Sequence, residues 1–232
     1  MKKTLKILLV VLFTILSFLN TNVQSNAYAQ QNLTPIMGQS QATKEQAFQL
    51  LRKNNSAKTD EYIQEFVNIT WEEAAIEGVR ADVAFSLMML ETGWLKFGGD
   101  VKEEQNNFGG LGATGGGNPG HSFPDIPTGI RAVVQHLKAY ASTEPLKQTR
   151  VDPRFNYVTR GSAIYVEWLG QKENPEGYGW ATGFGYGYKI INIMNQLSEK
   201  PLIPVITNLT VTCSNSTYSI TATASYTSQP LY

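Results

Sequence analysis

Apolar residues recur with helical spacing along much of the chain between residues 43 and 97. The sequence Thr43-Lys44-Glu45-Gln46 has the form of a capping box, which predicts a first helix that runs to about Lys53. A second helix is predicted between Thr59, as its cap, and Gly78, as its end. Its apolar face repeats every three or four positions, at Tyr62, Ile63, Phe66, Val67, Thr70 and Ala74.

A third predicted helix begins near Asp82, which is the expected cap, and its apolar side ends in a carboxylate. That side carries Val83, Ala84, Leu87, Met88 and then Glu91. Thr92, Gly93 and Trp94 follow directly. A charged group at the end of an otherwise interior-like segment needs an explanation, because burial of an unpaired charge is costly.

Helical periodicity stops at Gly98 and returns after Gly129. Glycine, proline and asparagine dominate this stretch, and so long an irregular segment inside a domain is usually functional or disordered. Its glycines would allow a mobile lid over a substrate.

Three further helices are predicted beyond this glycine-rich stretch. One is capped by Thr128 and has its apolar positions at Ile130, Val133, Val134, Leu137 and Tyr140. A shorter one spans Ser162 to Leu169. The last carries Tyr188, Ile191, Met194 and Leu197, after a turn-rich segment from Glu173 to Gly187.

The first 29 residues resemble a secretory signal. A basic start is followed by an apolar run of 13 residues, Ile7 to Leu19, and by a small-residue cleavage site at Ala27-Tyr28-Ala29. The run is short for a membrane span of about 20 residues. We therefore expect a secreted, cell-wall-associated protein with no membrane segment after cleavage; an uncleaved anchor is the alternative. Residues 30–42 are polar and are expected to be flexible.

The C-terminal residues 201–232 have a different pattern from the rest of the chain. Lys200 to Pro204 is typical of a linker, and strict alternation then marks two strands, with Leu209, Val211 and Cys213 in one and Tyr218, Ile220, Ala222 and Ala224 in the other. A turn at Asn215-Ser216 would make a β-hairpin. Since two strands alone are marginal in water, the segment either docks on the main domain or begins a β-sandwich.

Composition removes several classes of function. The chain has 19 basic and 19 acidic residues, and without the three signal lysines the balance is 16 to 19, near −3, so nothing indicates nucleic-acid binding. The single cysteine, Cys213, excludes an internal disulfide, and His121 and His136 lack the spacing of metal ligands. The glycine run lacks the Lys-Ser/Thr ending of a phosphate loop. No metal and no cofactor are therefore expected.

Glu91 is the remaining candidate for chemistry. Desolvation beside apolar side chains would favour its neutral form and raise its pKa, and a protonated glutamic acid can serve as general acid on a glycosidic oxygen. The alternative from periodicity alone is a helix-terminal glutamate that points into solvent.

Three sequence motifs, in this order, resemble the bacterial glucosaminidase family of peptidoglycan hydrolases. The first is Leu90-Glu91-Thr92-Gly93-Trp94, and the second is Asn106-Asn107-Phe108-Gly109 within residues 105–111. The third, residues 180–190, is similar to the family's Tyr-Ala-Thr-Asp-Pro-x-Tyr-x-x-Lys-Ile. The resemblance covers about residues 35–198 and implies an α+β, mostly helical, lysozyme-like domain over residues 43–200, with a flexible glycine-rich lobe and a short β segment after it.

The resemblance also implies roles for individual residues. Glu91 matches the family's general acid, and the Asn-Asn-Phe motif matches the floor of its cleft, where amides bind sugar hydroxyl and acetamido groups. From the residues alone, loop turns would account for Asn106 and Asn107, and Phe108 suits a core. The expected sugar-stacking aromatics are Trp94, Trp180 and Tyr186.

The third motif departs from the family in two places. Trp180 stands where the family usually has tyrosine, so the phenol is missing there, and Gly183-Phe184 replaces Asp-Pro. Tyr186 matches the family's second tyrosine and keeps its hydroxyl.

The sequence leaves the identity of the second catalytic carboxylate open. Asp125 lies 34 residues after Glu91, about where some family members carry an acidic residue. The substrate's own 2-acetamido oxygen is the alternative, because it can attack the anomeric carbon. Glu103 and Glu104 are typical of a solvated face.

The implied function is hydrolysis of the β-1,4 bond on the reducing side of N-acetylglucosamine in peptidoglycan, by a monomer that binds glycan strands. The nearer rivals are a lytic transglycosylase or a muramidase on the same fold. The farther rival is a non-catalytic wall-binding protein, against which the glutamate Glu91 argues.

Overall fold

The computed structural model describes residues 33–198 and the backbone of residues 203–214 and 217–227. The chain divides into two compact units, Met1–Pro35 and Ile36–Tyr232. Only residues 33–35 of the first unit are described, so the predicted signal peptide lies outside the described residues.

The described part of the second unit is mostly helical, with five α-helices: α1 (Lys44–Asn54), α2 (Asp60–Glu77), α3 (Ala81–Thr92), α4 (Ile126–Ala141) and α5 (Tyr186–Ser198). Three short 3-10 helices span Glu103–Gln105, Phe155–Tyr157 and Val166–Leu169. The capping box at Thr43, the Thr59 cap and the left-handed Gly78 at the end of α2 are all confirmed. No helix among the described residues is long and apolar enough to cross a bilayer.

Three predicted helix starts are wrong, each for a local reason. Helix α3 begins at Ala81 after Arg80, and Asp82 lies inside it, where both of its carboxylate oxygens accept hydrogen bonds from the Arg80 guanidinium. Helix α4 begins earlier than expected, because Asp125 rather than Thr128 is its cap. Helix α5 begins at Tyr186, inside the stretch predicted to be turns.

Helix α3 is the centre of the core. Every residue from Ala81 to Met89 is buried, and helices α2, α4 and α5 all pack against it. A helix that is apolar on all sides suits a site surrounded by other helices. Its last turn is the only part that reaches the surface, and this is where Glu91 lies.

Two ion pairs join α2 to α4 across the interior. Arg131 donates to Glu73 at 2.8 Å, and the Lys138 ammonium donates to Glu77 at 2.8 Å, with the lysine 1% and the glutamate 2% exposed. Backbone N–H groups of Lys147 and Gln148 also donate to the Glu77 carboxylate. Buried charges persist when each has a partner and its remaining polar atoms are hydrogen-bonded.

Residues 36–42, which are part of the segment expected to be flexible, pack against the helices instead. Ile36 is fully buried in the core, its N–H donates to Ile164 and its carbonyl accepts from Arg80. Met37 forms a bridge with Val79. The helical domain therefore begins before residue 43, because a short stretch of extended chain fills the gap beside α3.

The C-terminal strands β1 (Ile203–Ser214) and β2 (Thr217–Thr227) pair in antiparallel register, from Ile203 opposite Thr227 to Ser214 opposite Thr217. An irregularity lies between Ile206 and Asn208. Ile203 and Pro204, which the sequence placed in a linker, lie in β1. The turn expected at Asn215-Ser216 lies outside the described residues.

Candidate active site

Glu91 lies in the last turn of α3, where the helix leaves the core. Gly93 ends the helix in the left-handed conformation, with φ of 57°, and the Thr92 hydroxyl donates to the Met88 carbonyl at 2.7 Å. Leu87, Met88 and Met89 behind it are fully buried. The packing of α3 thus holds the backbone of Glu91 rigidly while its side chain projects to the surface.

The Glu91 carboxylate accepts a hydrogen bond from the hydroxyl of Tyr186, the first residue of α5. Tyr186 is 6% exposed, so the phenol has little freedom to move. Next to it, Gly187 lets α5 approach the chain at Val166, since a Cβ there would lie 2.3 Å from the Val166 carbonyl oxygen. The position of this hydroxyl therefore depends on helix packing.

The pKa values of both groups are shifted upward. Burial among protein atoms raises the pKa of the Glu91 carboxyl, and the hydrogen bond from Tyr186 opposes this in part. Burial, and then the negative charge of Glu91, raise the pKa of the Tyr186 phenol well above its usual value. Glu91 as a whole residue is exposed to solvent, whereas its carboxyl group lies among protein atoms at the wall of a cleft.

Glu91 lines a cleft of about 220 Å³. The other lining residues are Thr92, Gly93, Phe97, Gly99, Asp100, Val101, Asn107, Gly110 and Ala113. A Cβ on Gly110 would lie 3.4 Å from Glu91 Oε2, so the backbone of the second motif runs directly beside the carboxylate. Six of the ten lining residues thus come from the glycine-rich stretch.

An unusual run of left-handed residues follows Glu91 and leads to further residues that line this cleft. After Gly93, three bulky residues have positive φ: Trp94 at 65°, Leu95 at 57° and Phe97 at 56°. Such residues are uncommon in this region because their Cβ atoms crowd the backbone, and strain of this kind collects at functional sites. The result is a tight reversal that returns residues 99–101 to the cleft.

The two asparagines of the second motif brace the loop. The amide nitrogen of Asn107 donates to the carbonyls of Leu111 and His121, and its oxygen accepts from the Leu111 N–H. Asn107 is 1% exposed although it lines the cleft. The amide of Asn106 donates to the Phe123 carbonyl at 3.1 Å. Both N–H groups of the Asn107 amide already donate to backbone carbonyls. The two asparagines therefore fix the conformation of the loop backbone that lines the cleft.

Phe108 is part of the core, which corrects its prediction as a substrate-binding residue. It is 0% exposed and contacts Phe66 edge-on, with ring centroids 5.0 Å apart. A side chain without accessible surface cannot touch a sugar. It instead anchors the glycine-rich stretch to α2.

Trp180 is half-buried in an aromatic cluster with His136 and Tyr140, at centroid distances of 4.8 Å and 6.3 Å. Gly109 lies directly against it, because a Cβ there would be 3.0 Å from the indole. His136 is oriented by a 2.7 Å hydrogen bond between Nδ1 and Asp152. The second and third motifs therefore meet at this indole.

Trp94 lies in a different surface depression from the Glu91 cleft. Its carbonyl accepts a hydrogen bond from Asn55 at 2.8 Å, and its half-buried ring packs on the core. The depression, of about 470 Å³, is also lined by Asn54, Leu90, Gly185, Tyr188, Lys189, Asn192, Ile193 and Gln196. Leu90 and Gly185 directly precede Glu91 and Tyr186, so the two concavities are neighbours.

Asp125 is occupied as a helix cap. Its carboxylate accepts from the Thr128 N–H at 2.8 Å at the start of α4, and it is not among the residues that line the Glu91 cleft. Hydrogen bonds from Thr128 lower the pKa of this carboxyl. An exposed helix cap is a structural role, and it weakens the expectation that Asp125 is the second catalytic carboxylate.

The acidic residue that does share the cleft with Glu91 is Asp100, which sequence reasoning missed. Nothing in the local sequence distinguishes it from a solvated loop residue after Gly98 and Gly99. Within the described part of the chain, no group of three or more histidine, cysteine, aspartate or glutamate side chains is placed to hold a metal ion.

Comparison with known proteins gives one family and one relative. The model of the family described as Glucosaminidase, mannosyl-glycoprotein endo-beta-N-acetylglucosaminidase, matches residues 67–199, which include all three motifs. An uncharacterized protein of Borreliella burgdorferi is 44% identical over 138 residues, which are 60% of this chain and 64% of that protein. The chain thus spans less than two thirds of the length of this curated relative. No solved structure matches the chain.

Proposed function

Because this chain belongs to the glucosaminidase family, we propose that it is a secreted peptidoglycan hydrolase that cleaves the β-1,4 bond on the reducing side of N-acetylglucosamine. The observation that carries this proposal is the pair of Glu91 and Tyr186 at the cleft. Glu91 is the general acid, and the glycan strand of peptidoglycan lies along the cleft. The domain is assigned a lysozyme-like fold and acts as a monomer.

The position of Glu91 supports its role as the acid. Its pKa is raised by burial, so a larger fraction stays protonated toward neutral pH than for an ordinary glutamic acid. The Tyr186 hydroxyl holds one carboxylate oxygen, which leaves the other, beside Gly110, to face the substrate. A pure binding protein has no need of such an arrangement.

The reaction follows from these positions. Glu91 transfers its proton to the glycosidic oxygen as the bond from that oxygen to the anomeric carbon breaks, and positive charge develops on the sugar ring. Water then adds to the anomeric carbon, so one water is consumed for each bond cleaved. Trp94 and Trp180 are the aromatic residues assigned to contact sugar rings, whereas Tyr186 positions the acid.

The test is an analysis of the new chain ends. Purified peptidoglycan is digested with the protein, the fragments are reduced with borohydride, and the reduced residue is identified by mass spectrometry. We expect reduced N-acetylglucosamine ends. Glu91→Gln, which keeps an oxygen to accept from Tyr186 but carries no acidic proton, should lower their rate of formation by about 10²–10⁴-fold.

Other outcomes would replace the proposal. Reduced muramic acid ends would make the protein a muramidase, and anhydromuramic ends would make it a lytic transglycosylase. Full activity of Glu91→Gln, or binding to peptidoglycan without any new ends, would remove the enzymatic role of Glu91.

A further inference from the structure

We infer that Asp100 is the second carboxylate of the reaction, the general base that activates the attacking water across the cleft from Glu91. This inference rests on the proposed function. It assigns a role to a residue that neither the motifs nor the family comparison singles out, and it replaces Asp125 in that role.

The first support is the composition of the cleft. Among the residues that line it, Glu91 and Asp100 are the ones with titratable side chains, and the rest are glycines, apolar residues, Thr92 and the braced Asn107. Hydrolysis with inversion requires two carboxylates that face one substrate from opposite sides. Asp100 is the lining residue that can supply the second carboxylate.

The second support is the way in which the backbone delivers Asp100. The left-handed residues Trp94, Leu95 and Phe97 reverse the chain so that Asp100, nine residues after Glu91, returns to the same cleft. Side chains of this size pay a steric cost in that conformation. An ordinary loop could connect α3 to the glycine-rich stretch without this cost. The strained reversal is therefore explained by the position that it gives to Asp100.

The third support is the hydrogen bonding of Asp100. One carboxylate oxygen, Oδ2, accepts from the Gly117 N–H at 3.1 Å, which orients the group against the glycine-rich loop. Among the described residues this is the hydrogen bond that the structure assigns to the Asp100 side chain, so Oδ1 remains available to a water. Asp100 is half-buried, which keeps it reachable from the cleft.

The rival Asp125 differs in its position. It caps α4, it is not among the residues that line the Glu91 cleft, and its side chain is exposed. Activation of water there would require the start of α4 to give up its cap.

The proposed hydrolysis consumes one water for each glycosidic bond that is cleaved. Asp100 removes a proton from water while the water oxygen forms a bond to the anomeric carbon. The bond from that carbon to the glycosidic oxygen breaks, and the leaving oxygen takes the proton of Glu91. Glu91 ends as carboxylate and Asp100 as carboxylic acid, and exchange with solvent restores both. Attack opposite the leaving group converts the β-linkage into an α-anomer.

The experiment uses the whole protein and three matched substitutions that remove a carboxylate charge. Asp100→Asn keeps an oxygen to accept from Gly117, so the loop anchor survives while the base is lost. Asp125→Asn keeps a residue suited to cap a helix, and Glu104→Gln changes an exposed acid outside the cleft. Cleavage of glycan strands by the unsubstituted protein, abolished by Glu91→Gln, tests the proposed function separately.

We expect Asp100→Asn to lower kcat by about 10²–10⁴-fold with KM within a few-fold and an unchanged melting temperature. Glu104→Gln should retain full activity. Proton NMR of the first products, before mutarotation, should show the α-anomer at the new reducing end.

Three results would overturn the assignment. One is full activity of Asp100→Asn, which with a loss in Asp100→Ala would make Asp100 a loop anchor only. Another is a loss of kcat in Asp125→Asn while Asp100→Asn stays active. The last is a β-anomer as first product, which would assign the attack to the substrate's acetamido group or to a carboxylate nucleophile.

Discussion

Glu91 and Tyr186 shift each other's proton equilibria. The hydroxyl donates to the carboxylate and stabilises its charged form, which lowers the pKa of Glu91 against the larger effect of burial. The charge of Glu91 in turn makes ionisation of the phenol unfavourable, so Tyr186 remains a donor at all ordinary pH values. The pair therefore sets both the orientation and the proton affinity of the Glu91 carboxyl group, the proposed general acid.

Tyr186→Phe should lower kcat/KM and move the alkaline limb of the pH profile to higher pH. The general acid works while Glu91 is protonated, so activity falls as pH rises through its pKa. Removal of the hydroxyl removes the contact that lowers this pKa, and hence the limb moves upward. A lost hydrogen bond to a charged group is worth about 1.5–3 kcal/mol, or roughly 10- to 100-fold in rate.

Rates of glycan cleavage between pH 4 and 9 check this. Tyr157→Phe, at a tyrosine that is 77% exposed, is the matched control and should leave the profile unchanged. A profile of Tyr186→Phe that moved to lower pH would show that the hydroxyl does not stabilise the carboxylate.

At the scale of elements, close backbone approaches join the three motifs. Gly110 lies beside the Glu91 carboxylate, Gly109 lies against Trp180, and Gly187 brings α5 against the chain at Val166. A Cβ would come within 3.0 Å of another atom at Gly109 and at Gly187, whereas Gly110 has a positive φ of 61°, which favours glycine. These glycines thus bring the loop, α3 and α5 together at the candidate site.

Gly129→Ala should destabilise the protein, although alanine usually stabilises a helix by about 1 kcal/mol relative to glycine. A Cβ at Gly129 would lie 1.9 Å from the Asn106 carbonyl oxygen and 3.1 Å from the Phe108 ring. Since a backbone atom must move, we expect a loss of about 1–3 kcal/mol in the free energy of unfolding and a displaced second motif.

Urea denaturation and glycan cleavage of the same variant check this together. Gly183→Ala is the control, because no atom lies within 4 Å of the Cβ added there. A Gly129→Ala variant more stable than the original would mean that helix propensity outweighs the contact with Asn106.

On the scale of the whole molecule, buried ion pairs hold α2 against α4. Glu77 is held by the Lys138 ammonium and by two backbone N–H groups, and these contacts, set against burial, lower its pKa. A carboxyl with a lowered pKa stabilises the fold above its ordinary pKa, and this contribution is lost as pH falls through the lowered value.

Lys138→Met should therefore lower the free energy of unfolding at pH 7 by about 3–5 kcal/mol, because Glu77 would remain buried without its cation. Guanidinium denaturation followed by circular dichroism measures the change. Lys172→Met, at an exposed lysine, should change stability by less than about 0.5 kcal/mol. A similarly small effect at Lys138 would mean that the backbone N–H groups alone satisfy Glu77.

The sequence by itself determined the first two helices and, through its motifs, the family, and it proposed Glu91 as the acid. These depend on short-range information: side-chain periodicity, capping residues and motifs that are contiguous in the chain. The start of α3 was less predictable, because the Asp82 carboxylate pairs with the Arg80 guanidinium and accepts from the distant Gln41 N–H instead of capping the helix.

Only the tertiary structure decided which residues share the cleft. It joined Tyr186 to Glu91 across 95 positions, chose the core over a substrate contact for Phe108, and placed Asp100 rather than Asp125 among the residues that line the Glu91 cleft. The physical reason is that these relations depend on a strained reversal after α3 and on glycine contacts between distant segments. Neither the strained reversal nor the glycine contacts produce a periodic pattern in the sequence. Both depend on which distant backbone segments come close together in the fold.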